Sequence, residues 1–231
     1  IFATSATRDA RNGADFLRHL QELTGAAPEI VSGEEEAVLS FLGATEIAPP
    51  GEPCGVIDIG GGSTEIVLGQ GARIDLALSC QMGAVRLFRL LSILCREDMP
   101  AVEAAAEGIL EEKWQEAAGE GAPPSPACWI GTGGTFTALA ALTKGIHWTD
   151  RTFMHGTVLL RDRVREIGET LADMTPEQRL KLEGLQPSRA DIVVHGICIL
   201  LAVMKRLHID EIRVSEYGNL DGYLRKHYFT A

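Results

Sequence analysis

The sequence reads as an α/β protein because two patterns alternate along it. Between Cys54 and Ser79, apolar runs are separated by glycine turns, which is the signature of a β-meander. Elsewhere apolar residues recur at helical spacing, broken by brief strand-like segments such as "ACWI" and "EIRVS". No internal repeat of solenoid period competes with this reading.

Residues 10–24 place Ala14, Phe16, Leu17, Leu20 and Leu23 close to helical spacing, and Gly25 stops the run as a C-terminal cap does. "PEIVSG" predicts a short strand ending at Ser32. "EEEAVLSFLGA" then predicts a helix whose acidic first turn suits the helix dipole. The Pro and Gly cluster "APPGEPCG" reads as a hinge or domain boundary. After the meander, with its second turn at "GQGA", a helix is expected to start near Met82, and helices are expected over 84–94 and 100–119. "GEGAPPSP" reads as a surface connection, "ACWI" as a buried strand, "GTGG" as a loop and "TFTALAALTK" as a helix. Further helices are expected at 159–172, 176–182, 189–207 and 222–227, with "EIRVS" as a strand between the last two.

Composition narrows the classes of function. The chain has 231 residues, 45% of them hydrophobic, enough for a well-buried core in one large domain or two modest ones. Its net charge of −11 argues against a general nucleic-acid surface, since phosphate backbones are held by accumulated Lys and Arg. An anionic substrate must therefore meet local positive groups: Arg8 with Arg11, Arg86 with Arg89, or the cluster Arg161, Arg163 and Arg165. No apolar run is long enough for a membrane helix and no secretory segment opens the chain, so no membrane role and a cytoplasmic location are expected. The five cysteines, Cys54, Cys80, Cys95, Cys128 and Cys198, are dispersed and odd in number, which predicts reduced thiols rather than disulfides or a zinc site.

The stretch "VIDIGGGSTEIVLG" sets Gly60, Gly61, Gly62, Ser63 and Thr64 between Asp58 and Glu65. Glycine lets successive backbone N–H groups approach an anion, and the hydroxyls add donors. With no lysine following and a strand where a helix would be needed, it is neither a Walker loop nor a dinucleotide fingerprint. A second loop in "IGTGGTFTALAAL" runs through Gly133 and Gly134 into a helix at Thr135, whose N-terminus favours an anion. Two such loops predict an anion held between them. The flanking carboxylates Asp58 and Glu65 are then suited to hold Mg²⁺ or another divalent cation that offsets phosphate charge. Of Glu34, Glu35 and Glu36, at most one or two can face a cleft, because neighbours on a helix point about 100° apart.

Together these motifs resemble the Ppx/GppA family of exopolyphosphatases and guanosine pentaphosphate phosphatases. "ATSATRDARNGADFL", "EIVSGEEEA", "VIDIGGGSTEIVLG", "MGAVRL", "IGTGGTFTALA", "GLQPSRADIVVHGICIL" and "VSEYGNLDGYL" stand in the family's order, the chain ending like the family's short members. The resemblance implies a ribonuclease-H-like fold of the actin, sugar kinase and heat-shock ATPase superfold, with two domains and a cleft between them. Residues 1–48 then form the C-terminal part of the first domain and carry the catalytic glutamate. Residues 49–231 form the second domain with both phosphate loops, and the last helix is free to pack back on the first. By motif, Glu36 corresponds to the catalytic glutamate, Asp58 and Glu65 to metal or water ligands, the glycine loops to phosphate loops, and Arg8 to a basic cleft-wall residue. The substrate implied is inorganic polyphosphate or guanosine pentaphosphate, and a homodimer is allowed.

Two departures from the family pattern stand out. The family opens on an Asp-x-Gly-Ser-Asn-Ser type loop, which is not found here, so the first domain reads as incomplete and weak activity is expected of the chain as it stands. In "GNLDG", Leu220 occupies the place of a usual arginine, which bears on substrate preference. The expected reaction is hydrolysis of a terminal phosphoanhydride by water that Glu36 activates, with no covalent intermediate. The six histidines, His155 and His195 among them, form no nucleophile arrangement. The rivals are a nucleotide-dependent kinase or ATPase of the same superfold, which would need an adenine pocket beyond the second loop, and a non-catalytic sensor of phosphate polymers or alarmones.

Overall fold

The glycine-punctuated meander forms one half of a larger mixed sheet in the computed structural model, which describes residues 1–118 and 126–228. The N-terminal elements are β1 (Phe2–Ala3), α1 (Ser5–Arg8), α2 (Gly13–Thr24), β2 (Glu29–Ile30) and α3 (Gly33–Ala44). The meander follows as β3 (Cys54–Ile59), β4 (Thr64–Gln70) and β5 (Arg73–Cys80), then α4 (Ala84–Leu90) and α5 (Met99–Ala118). Beyond it lie β6 (Cys128–Thr132), α6 (Gly134–Lys144), α7 (Arg151–Met154), β7 (Val158–Leu160) and α8 (Arg161–Ala172). Last come α9 (Pro176–Arg179), α10 (Val193–Arg206), β8 (Glu211–Val214) and α11 (Asn219–Tyr228). The connection expected around 119–125 lies outside the described residues.

Six strands pair in the order β5-β4-β3-β6-β8-β7, with β6 parallel to both β3 and β8 and the other pairs antiparallel. Strand alternation sorts β3 and β4 onto two faces. Ile57, Ile59, Ile66 and Leu68 join the large core that α4, α5, α6, α8 and α10 cover. Cys54, Val56 and Val67 face the other way, into a smaller layer under Ala37, Phe41 and Ala44 of α3. Asp58 and Glu65 fall on this second face by the same alternation.

The helix α3 precedes the Pro49–Gly51 turn yet packs on the sheet that follows it. The division expected at 48/49 thus falls between a helix and the sheet beneath it. Across α3 lies α11. A Cβ on Gly43 would run into the Gly218 carbonyl, and one on Gly222 into the Leu39 carbonyl, so the two helices approach backbone to backbone. The same helix reaches the small β1–β2 pair: Tyr223 stacks on Phe2 at 4.7 Å and donates to Glu29 Oε1 at 2.7 Å.

Four expectations about elements shift, the simplest being the helix expected over 176–182, which ends at Arg179. The helix expected over 84–94 ends at Leu90, because Leu91 turns extended and presents its carbonyl to His195 Nε2 at 2.8 Å. The start of the helix expected over 159–172 is β7 instead, an edge strand paired with β8 in which Leu159 alone points inward. Residues 189–207 open with a 3₁₀ turn at Pro187–Arg189, and the α-helix begins at Val193. No helix among the described residues is long and apolar enough to cross a membrane.

Candidate active site

Asp58, Glu65 and Ser79 stand in a row across β3, β4 and β5, since the register pairs Asp58 with Glu65 and Glu65 with Ser79. At about 4.8 Å per strand the row spans roughly 10 Å. Ser79 donates to Glu65 Oε1 at 2.9 Å, and Ser40 on α3 donates to Asp58 Oδ2 at 2.6 Å. Glu36, in the first turn of α3, adds a third carboxylate to this face. Its helix is fixed there by Ser32, whose side chain caps the Glu35 amide at 3.1 Å.

Burial lifts each of these three carboxylates above the usual carboxylate range and is the main cause for all. Asp58 raises the other two. Glu65 is raised further by Asp58 and then by Glu36; Ser63 and Ser79 oppose the shift. Glu36 is pulled back by Thr4 and, past the opposing push of Asp58, by Arg8, whose Nη1 lies 3.6 Å from Glu36 Oε2. That oxygen is buried and has no hydrogen-bond partner among the described residues.

The β3–β4 turn is closed by the Gly60 N–H donating to the Ser63 carbonyl at 3.0 Å. The carbonyls of Gly60, Gly61 and Gly62 accept from Ala84, Val85 and Gly83 at 2.9–3.1 Å, so the start of α4 holds the loop from behind. The amides of Gly61 and Gly62 are left without an acceptor among the described residues. At the second loop Gly133 takes φ 91° and ψ 175°, a conformation open in practice to glycine alone, and a Cβ there would lie 2.7 Å from Asp58 Oδ1. The chain enters α6 at Gly134 with no side-chain cap, leaving the first-turn amides available.

The two loops open on one cavity of about 590 Å³, lined by Asp58, Gly60, Gly61, Gly133, Gly134 and Arg189, and also by Trp148, Met154, Glu216 and Leu220. The sequence pattern of the Ppx/GppA phosphatase family matches residues 1–228. The chain belongs to the Ppx/GppA phosphatase family. Exopolyphosphatase 2 of Mycobacterium tuberculosis is 33% identical over 234 residues, an alignment covering 96% of this chain and 72% of the relative. Among solved structures, an exopolyphosphatase-like protein matches with a TM-score of 0.85 at 30% identity, covering 96% of this chain and 75% of the other. The Ppx/GppA enzyme of Aquifex aeolicus matches with a TM-score of 0.83 at 27% identity, covering 98% and 74%. The mixed sheet between helical layers is this family's fold.

Not every residue singled out in this Ppx/GppA phosphatase by its sequence faces that cavity. Arg8 lines a second one, of about 440 Å³, with Gly33, Ser79 and Lys113. Ser79 holds Glu65 and Arg8 faces Glu36, so the acidic row lies between the two cavities. Thr64, expected as a phosphate donor, spends its hydroxyl proton on the Met82 carbonyl at 2.6 Å. Thr135 is buried with its side chain against Gly196 of α10, so only its backbone can serve a ligand. Ser63 is buried beside Glu65. Gly62 is covered by Ser5 and by Arg86, which donates to its carbonyl at 2.8 Å.

Two residues of this cavity had no signal of their own in the sequence. Arg189 lies over Gly134, and a Cβ at Gly134 would collide with its guanidinium. Its one side-chain partner is Gln186 Oε1 at 3.3 Å, and burial depresses its pKa. No carboxylate pairs with it among the described residues. Glu216 accepts from Arg151 through one oxygen, while its other oxygen is buried without a partner among the described residues.

Proposed function

We propose that this family member hydrolyses the terminal phosphoanhydride of a phosphate chain, with inorganic polyphosphate as substrate. One observation carries the reading: two glycine loops, the Asp58 end of the acidic row and a guanidinium with no carboxylate partner among the described residues converge on a single cavity. Backbone amides at Gly61 and at the start of α6, together with Arg189, supply positive potential for phosphate oxygens in a protein of net charge −11. The name exopolyphosphatase attached to relatives of similar sequence and fold supports the same substrate class.

Among the described residues no group of three or more His, Cys, Asp or Glu forms a ready-made metal cage. Mg²⁺ is held by one or two carboxylates together with waters and substrate phosphates, and the register sets Asp58 opposite Glu65. Asp58 and Glu65 would hold it, and when bound it would offset the charge on phosphate oxygens. The Glu36 carboxylate, with one buried oxygen lacking a partner among the described residues and a raised pKa, would orient water and take its proton. Water oxygen bonds to the terminal phosphorus as the bridging P–O bond breaks. Orthophosphate leaves, and the chain is one phosphate shorter. Arg8 steadies the Glu36 carboxylate from the second cavity.

A second reading, guanosine pentaphosphate as substrate, draws on Trp148, Met154 and the unpartnered Glu216 oxygen in the same cavity. An aromatic surface beside a carboxylate acceptor suits a base bearing N–H donors. The experiment is phosphate release with Mg²⁺ from long-chain polyphosphate, guanosine pentaphosphate and ATP in parallel. Release from polyphosphate with chains shortened singly supports the first reading, and faster release from the guanosine nucleotide supports the second. Turnover of ATP with polyphosphate untouched would overturn both.

A further inference from the structure

Cys54 and Cys128 open β3 and β6, and the parallel register sets them side by side. Their side chains share a face: Cys54 belongs to the apolar layer under α3, and Cys128 packs against that layer. Neighbouring strands hold paired Cα atoms about 5 Å apart, within the range of roughly 4.4–6.8 Å that a disulfide spans. Both are free thiols, Cys54 buried and Cys128 partly exposed. The neighbouring Cys54 thiol holds the Cys128 pKa below that of an ordinary thiol and has its own pushed up. Arg213 on β8 acts on Cys128 in the same direction, and Glu52 opposes it. Cys95, the other partly exposed thiol, is shifted upward by Glu97, while Cys80 and Cys198 are buried.

We propose that Cys54 and Cys128 are an oxidisable dithiol, in which Cys128 reacts with a hydroperoxide and Cys54 then closes a disulfide between β3 and β6. In the first step the Cys128 thiolate bonds to a peroxide oxygen and the O–O bond breaks. Hydroxide leaves and is protonated to water, and Cys128 becomes a sulfenic acid. In the second step the Cys54 sulfur attacks the sulfenic sulfur, the S–O bond breaks, and the departing hydroxide takes the Cys54 proton. With hydrogen peroxide, two thiols lose two electrons and the oxidant is reduced to two waters. Cys54 needs no access to solvent because its partner is intramolecular. The cross-link sits about 13 Å, four residues, from the register pair Asp58–Thr132 at the glycine loops.

The test treats the folded protein with hydrogen peroxide, blocks remaining thiols with an alkylating reagent and maps the peptides by mass. The expected result is a Cys54–Cys128 linked peptide, two hydrogens lighter than the reduced pair and lost on reduction, forming about 10-fold faster than any modification of Cys95. C54S should instead trap a sulfenic acid at Cys128, captured by a dimedone-type reagent, and C128S should leave Cys54 alkylatable only after denaturation. Oxidation of Cys95 ahead of Cys128, or a fully alkylatable Cys54 and Cys128 after peroxide, would overturn the proposal. Circular dichroism of both serine variants keeps misfolding from imitating either outcome.

Discussion

Ser40 and Asp58 join the helix that carries Glu36 to the strand that leads into the first glycine loop, through a 2.6 Å hydrogen bond from the Ser40 hydroxyl to Asp58 Oδ2. Both residues are buried, so the bond is the support a desolvated carboxylate has on that side. Ser40→Ala should lose about 2 kcal/mol of stability, the usual scale for a hydrogen bond to a charged group. The loss is read from a urea unfolding midpoint. If the Asp58 carboxylate also holds a divalent cation, the variant should show a smaller rise in Tm on adding Mg²⁺ than the parent.

Gly133→Ala tests the geometry of the second loop. Its φ of 91° with extended ψ costs a residue bearing a Cβ about 1–3 kcal/mol, and the methyl would meet Asp58 Oδ1 at 2.7 Å. The expected outcome is a folded protein, by circular dichroism, whose polyphosphate affinity falls about 10-fold or more. Gly145→Ala, at a helix end with open space around it, should leave binding unchanged.

Arg189→Ala should weaken phosphate-chain binding by about 10-fold, in keeping with loss of one charge-assisted contact. Arg189→Lys should recover part of that, since an ammonium keeps the charge but not the planar fork. Isothermal titration with polyphosphate distinguishes the three proteins.

How far the site could be read from the chain differs from residue to residue. The glycine loops were legible because backbone freedom and a strand-to-helix entry are local properties of sequence. Strand alternation also carried Asp58 and Glu65 to one face. Arg189 was not legible as a ligand: its place over Gly134 is set by α6 and the turn before α10, and the two residues are 55 apart in sequence. Thr64 was misread as a donor for the opposite reason. It begins a strand whose even positions, Ile66 and Leu68, face the large core, and the same alternation turns its hydroxyl toward Met82. β7 escaped notice because three residues with one inward side chain give too little alternation, and the helix starts at the next residue.

His195 supplies a pH dependence of known sign. Burial depresses its pKa, with the Leu91 carbonyl opposing this and Arg179 adding to it, and its Nδ1 has no partner among the described residues. The folded state therefore refuses a proton that the unfolded chain accepts. Its contribution to stability is present above about pH 6.5, the unfolded value, and is lost as pH falls through the lower folded value. His195→Gln keeps a donor for the Leu91 carbonyl without titrating. Its urea midpoint should fall less than the parent's between pH 7 and pH 5, and parallel falls would exclude His195 as the source.

The most direct measurement is the turnover and binding of Glu36→Gln against the parent protein on long-chain polyphosphate with Mg²⁺. Removing the general base should lower kcat by about 10² or more while leaving the dissociation constant within about 3-fold, because the glycine loops and Arg189 bind the chain. Glu34→Gln, at an exposed position, and Glu35→Gln, where the side chain is half-buried and pairs with Lys226 at 2.8 Å, should remain near the parent. Unchanged phosphate release by Glu36→Gln, with the chain still bound, would contradict the assignment of Glu36 as the residue that activates water.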